Sequence, residues 1–98
     1  MSETWLLRYT YVPDIVERRG PHREAHLAAI AAEQAAGRVS LAGALGDPPS
    51  GGAIAFTGVG REHVQRFAAA DPYVRAGLVT EQRIEPWTLV GGSGDRGA

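Results

Sequence analysis

The stretch Ala68-Ala69-Ala70-Asp71-Pro72-Tyr73-Val74-Arg75-Ala76-Gly77 decides how the rest of the chain is arranged. Three small residues finish a helical run. Asp71 then stands where a helix N-cap belongs, because its carboxylate accepts from the free amides of a first turn. Pro72 suits the next position, where its missing N–H is no loss. Gly77 turns with positive φ and stops the helix. The segment reads as the end of one helix, a one-turn helix, and the approach to a final strand. A capping carboxylate keeps further acceptor sites, so Asp71 also has the capacity to hold a histidine in a cleft.

Beyond this stretch, Glu81 to Val90 reads as the last strand, with Ile84, Trp87 and Leu89 as its apolar contributors. Pro86 has no amide to donate, which predicts an edge strand or a bulge near Pro86. Residues 91–98 have nothing to bury and are expected to be a disordered tail. Before the stretch, Arg61 to Ala69 forms a helix with Val64, Phe67 and Ala68 inward. Arg38–Gly46 and Ala53–Thr57 read as two strands of a hairpin around the turn-forming cluster of residues 47–52. In the first of these, Gly43 lets a backbone or a ligand come close.

Further upstream, Pro21 opens an Ala-rich helix that Gly37 ends. Leu27, Ile30, Ala31 and Gln34 make a thin apolar stripe along it. His26 sits at the edge of that stripe, placed to hold one ring nitrogen inside and offer the other to a cleft. A polar connection, Ile15 to Gly20, leads back to residues 4–12, rich in the aromatic and branched side chains that fit a pleated surface. Trp5, Leu7, Tyr9 and Tyr11 share one face of this strand, and Leu6, Arg8, Thr10 and Val12 the other.

The order β-α-β-β-α-β within residues 1–90, taken as a single domain, fits an α+β fold of ferredoxin-like type: a four-stranded antiparallel sheet with two helices on one face. The other face is left with apolar groups, and such a face normally marks an interface or a ligand groove. A two-fold homodimer with the sheets packed together is the expected assembly.

Composition narrows the chemistry. A formal net charge of −1 on 98 residues argues against a nucleic-acid partner, which wants a basic face. No apolar run approaches the ~20 residues of a membrane span, and no basic-then-apolar signal pattern opens the chain, so a cytoplasmic location is expected. There is no cysteine, which removes thiolate chemistry and disulfides. All ten basic residues are arginine, which removes Schiff-base catalysis on a lysine. The nucleotide-cradling glycine motifs are missing as well. Proton chemistry is left to three histidines, the carboxylates and three tyrosines.

Arg23-x-x-His26-Leu27 on the first helix, Gly37 at its end, and Leu41-Ala42-Gly43 in the second strand resemble the YCII-related (YciI-like) family. So do Ala70-Asp71-Pro72-Tyr73-Val74, Ala76-Gly77-Leu78-Val79 and Ile84-Glu85-Pro86-Trp87. The resemblance runs from about Thr4 to Val90. It implies a ferredoxin-like subunit of the dimeric α+β barrel superfamily with a histidine–aspartate pair in a cleft. Carried over by position, the pair is His26 and Asp71, with Arg23 nearby. Most of the family has no assigned reaction, and one branch resembles enzymes that remove chloride from a chlorinated hydroxyquinol.

The implied reading is a small-molecule enzyme of isomerase, lyase or dehalogenase type. His26 is its general acid or base, oriented by Asp71, and no cofactor or metal is called for. A histidine with an ordinary pKa near ~6.5 takes and returns a proton at neutral pH. A carboxylate on its other ring nitrogen fixes the tautomer and stabilises the imidazolium. Arg23, Gly43 and Tyr73 are the substrate-binding candidates. Arg23 is either a plain surface charge or steers an anionic substrate with its planar fork, and Tyr73 packs its ring with the hydroxyl at the rim. His22 and His63 are expected at the solvated starts of their helices, and His22 with His26 lacks a third metal ligand. The alternative is a non-catalytic dimer that binds a small ligand or regulates; a cofactor-free monooxygenase finds no support among these residues.

Overall fold

The computed structural model describes residues 3–92. Its elements are β1 (Thr4–Tyr11), α1 (Ile15–Arg18), α2 (Gly20–Ala35), β2 (Val39–Leu45), β3 (Gly51–Thr57), α3 (Arg61–Ala70), α4 (Pro72–Arg75) and β4 (Val79–Pro86). The strands form one antiparallel sheet in the order β2-β3-β1-β4, and the helices gather on one side of it. This is the ferredoxin-like α+β arrangement, with β2 and β4 as its edges.

The alternation in β1 settles which face turns inward. Leu7 and Tyr9 are buried, and Trp5 and Tyr11 pack against the same core, while Arg8 and Thr10 are exposed. Across the sheet Leu7 pairs with Ile54 and Trp5 with Phe56, and Val64 and Ala68 of α3 close over them. A side chain such as Phe56, with no exposed surface, contributes about 2–3 kcal/mol by its burial. The aromatic row thus lies under the helices, and the open face carries Leu6, Arg8 and Thr10 instead.

A second, smaller cluster joins Ile15, Tyr73 and Leu78. It ties α1 and α4 to the end of the sheet and fixes the Asp71 segment. Ile15 is the reason the connection after β1 is not simply polar: the chain coils there into a one-turn helix that buries it.

Other boundaries differ from expectation for identifiable reasons. β3 begins at Gly51, inside what reads as a turn, because both glycines are buried against β1. A Cβ on Gly51 would strike the Tyr9 carbonyl oxygen, and one on Gly52 would lie 2.5 Å from the Tyr11 hydroxyl. Nothing lies within 4 Å of a Cβ placed on Gly43, so among the described residues no backbone needs that glycine. β4 runs from Val79 to Pro86 and is an edge strand, with Trp87 beyond it and partly exposed. The irregular register falls between Thr10 and Tyr11 rather than near Pro86. On α2 the inward side carries His26 and half-buried Ile30, whereas Leu27, Ala31 and Gln34 are exposed. Of the expected tail, Gly91 and Gly92 are exposed without regular structure, and residues 93–98 lie outside the described residues.

Candidate functional site

Asp71 sits where three elements meet. It follows α3 directly and caps α4, its Oδ1 accepting from the Tyr73 amide at 3.0 Å. Pro72 begins α4 as the sequence implies. The same Oδ1 lies 2.8 Å from Nδ1 of His26 on α2, and Oδ2 accepts from the Tyr9 hydroxyl of β1 at 2.8 Å. Asp71 has no exposed surface and His26 is 5% exposed. A buried carboxylate costs several kcal/mol to desolvate, and three donors converging on it offset that cost.

These bonds fix the histidine. Asp71, as an acceptor-only carboxylate, asks for a proton on Nδ1, which leaves the lone pair of neutral His26 on Nε2. Nε2 has no hydrogen-bond partner among the described residues, and no buried side-chain nitrogen or oxygen lacks one. It therefore opens to the cleft. The Tyr73 ring lies flat on the imidazole, centroids 3.7 Å apart and planes 6° off parallel, so the imidazole is held by its edge and by its face.

The cleft is a pocket of about 450 Å³ between α2 and the β2–β3 half of the sheet. Tyr9, Tyr11, Arg19, Arg23, His26 and Tyr73 line one end, and residues 39–44 of β2 with Leu27 and Ile30 line the other. Its size is that of a small-molecule site. Burial, and after it the Asp71 charge, push the Tyr9 hydroxyl far above its ordinary value. Burial also pushes Tyr11 up to about 12. Both hydroxyls are neutral at physiological pH, and that of Tyr9 donates to Asp71 without losing its proton.

All five candidates from the sequence are thereby placed. Arg23, Gly43 and Tyr73 line the pocket beside His26, and Asp71 stands behind His26 with no surface on it. Tyr9, Tyr11 and Arg19 were not legible as pocket residues. For Tyr9 a signal existed: a tyrosine in the inward row of a strand needs a buried partner for its hydroxyl.

His63 departs from expectation. It is half-buried rather than solvated, and its Nε2 lies 2.7 Å from Oε1 of Glu33. Arg38 donates from Nε and Nη2 to the two oxygens of Glu33 at 3.0 Å each. This cluster lies by a second, more open depression of about 350 Å³, away from Nε2 of His26. His22 is half-buried as well. Among the described residues no group of three or more His, Asp or Glu is placed to hold a metal, and no helix is long and apolar enough to cross a membrane.

Fold and site together define a ferredoxin-like α+β protein with a histidine–aspartate cleft. The model of the YCII-related domain matches residues 4–88, and the chain belongs to that family. Among solved structures it is similar to 5-chloro-2-hydroxyhydroquinone dehydrochlorinase (TftG) from Burkholderia phenoliruptrix AC1100, in complex with 2,5-dihydroxybenzoquinone. The TM-score is 0.74 at 22% identity, over 87% of this chain and 93% of that one. It is also similar to a protein from Bacteriodes thetaiotaomicron VPI-5482 provisionally named an antibiotic biosynthesis monooxygenase. There the TM-score is 0.56 at 13% identity, over 91% and 90% of the two chains. At these identities the likeness is one of fold. No curated protein matches the sequence significantly.

Proposed function

We propose that the chain is a cofactor-independent enzyme of small-molecule metabolism, with His26 as general base and acid and Asp71 acting through it. The observation that carries this reading is the imidazole itself, with Nδ1 held 2.8 Å from buried Asp71 and Nε2 facing a pocket. A substrate O–H or acidic C–H presented there gives its proton to Nε2. The electron pair left behind forms an enolate or carbanion. Either a leaving group such as chloride departs with its own electron pair, so that HX is lost, or the proton returns to another atom, which is an isomerisation. Neither route needs an oxidant. The Asp71 carboxylate stabilises the imidazolium formed on the way, and transfer of this kind contributes typically ~10²–10⁴-fold.

The likeness to a dehydrochlorinase supports placing chloride elimination first among these chemistries. The uncovered sheet face, where Leu41 and Leu45 are 69% and 38% exposed, supports a homodimer with sheets face to face. A chain without cysteine needs no oxidising compartment, which supports a cytoplasmic setting.

Chloride release from 5-chloro-2-hydroxyhydroquinone at neutral pH is the test. The wild-type chain should release it, and His26→Gln should do so at least about 100-fold more slowly with an unchanged circular dichroism spectrum. Wild-type rates in His26→Gln would refute the assignment. Saturable binding of hydroxyquinols without any turnover would place the chain among small-ligand-binding modules.

A further inference from the structure

We propose that the cleft selects a small, planar oxyanion, a carboxylate or a ring enolate, and that Arg19 and Arg23 are the residues that recognise it. The inference deepens the preceding reading and rests on it in one respect, that this pocket is the substrate site.

The charge of the pocket is one-sided. Among the described residues no acidic side chain lines the pocket, whereas two guanidiniums do. Three arginines take carboxylate partners, Arg18 with Asp14, Arg38 with Glu33 and Arg83 with Glu85, and of the remaining described ones only Arg19 and Arg23 line this pocket. Arg19 and Arg23 make no ion pair among the described residues. Asp71 itself has no exposed surface, stands behind His26 and is already engaged by three donors. An anion entering the pocket therefore meets two unneutralised cations before it meets any negative charge.

The cations also lie where an anion would be useful. Arg19 and Arg23 stand one turn apart at the start of α2, where the partial positive charge of the helix terminus adds to theirs. Both guanidiniums line the same pocket as Tyr73, which stacks on His26, and both pull the Tyr73 hydroxyl down against the upward push of its burial. A planar guanidinium matches the two oxygens of a carboxylate or of neighbouring ring oxygens. Tyr11 and Tyr73, edge to face at 5.8 Å, add aromatic walls that favour a flat guest. A volume of about 450 Å³ takes one substituted ring. Once His26 has removed a proton, the charge left on the substrate grows within reach of the same two cations.

The test is a binding titration of the full chain by ¹H–¹⁵N correlation spectroscopy, with benzoate, benzamide and 4-nitrophenolate as probes. Benzoate or 4-nitrophenolate should shift amides of the pocket, Gly43 and Gly52 among them. The stronger of the two tells whether carboxylates or ring oxyanions are the preferred source. Arg19→Gln and Arg23→Gln should each weaken that binding about tenfold, as loss of a hydrogen bond to a charged partner does. Arg75→Gln, an exposed arginine off the pocket, should leave it unchanged. Benzamide should bind at least about tenfold more weakly than benzoate. Equal binding of benzamide and benzoate, undiminished anion binding in both pocket variants, or no anion binding at millimolar concentration would each overturn the inference. Anion binding through the arginines in a chain that turns nothing over would leave it standing while the catalytic role of His26 falls. Turnover that needs His26 but neither arginine would do the opposite.

Discussion

Replacing Tyr9 by Phe takes one oxygen out of the protein interior and leaves the ring to fill its place. Tyr9 is 3% exposed, and its hydroxyl, at 2.8 Å, is the sole hydrogen-bond donor to Asp71 Oδ2 among the described residues. The packing against Leu7 and Ile54 in the core is kept, so the loss is one of polar satisfaction. A hydrogen bond to a charged acceptor is worth about 1.5–3 kcal/mol, and an orphaned, fully buried carboxylate oxygen places the cost in the upper half of that range. We expect about 2–3 kcal/mol, a large part of the ~5–15 kcal/mol that stabilises a domain. At roughly 4–8 °C per kcal/mol for a chain of this size, the melting point should fall by about 10–20 °C. Urea unfolding at fixed protein concentration measures this as a lower midpoint with an unchanged slope. Asp71→Asn turns an amide toward Tyr9, so the double variant should show a coupling of about 1 kcal/mol or more between the two sites. A loss under about 0.5 kcal/mol in Tyr9→Phe would be far below a charged hydrogen bond and would refute the convergence on Asp71.

Gly51→Ala should fail to fold or lose several kcal/mol, on the order of an overpacked core site, because its Cβ meets the Tyr9 carbonyl. Gly43→Ala, with open space around it, should stay within about 0.5 kcal/mol of wild type in the same urea assay. The Glu33 carboxyl is held below its ordinary value of 4.5, first by the hydrogen bond from Arg38 and then by His63. A depressed carboxyl stabilises the fold above its unfolded pKa and loses that contribution as pH falls through the folded value. Unfolding followed below pH ~4.5 should therefore show a steeper acid loss in wild type than in Glu33→Gln. Sedimentation at micromolar concentration should show twice the 10.4 kDa chain mass; a monomer would mean that the open sheet face is covered in some other way.

Much of the fold was legible because single residues act locally. Asp71, Pro72 and Gly77 specify a helix cap, a first turn and a stop without help from the rest of the chain. The alternation in β1 named the two rows correctly, though only packing could choose between them, and it turned the aromatic row inward. Gly51 and Gly52 read as turn because glycine is a poor strand former; their place in β3 comes from the close approach to β1. In α2 a run of alanines offers little contrast between faces, and the helix is rotated to bring His26 to Asp71, so the expected stripe through Leu27 ends up exposed. His63 and Glu33 are separated by 30 residues, and Tyr9 and Asp71 by 62. No local pattern links such pairs, and only for His26 and Asp71 did a family resemblance do so.

The wall of the cleft is itself held in an unusual way. Of the sixteen residues of α2, His26 is the one that is fully buried. The helix is fastened by a pin, the imidazole clasped between Asp71 and the Tyr73 ring, more than by a greasy seam. Local opening free energies follow the density of buried apolar contacts, so the amides of α2 should exchange with solvent sooner than those of β1 and β3. Whatever loosens the imidazole loosens the wall with it. A guest bound at Nε2 should then slow hydrogen exchange along the whole of α2, so that binding and the breathing of the enclosure change together.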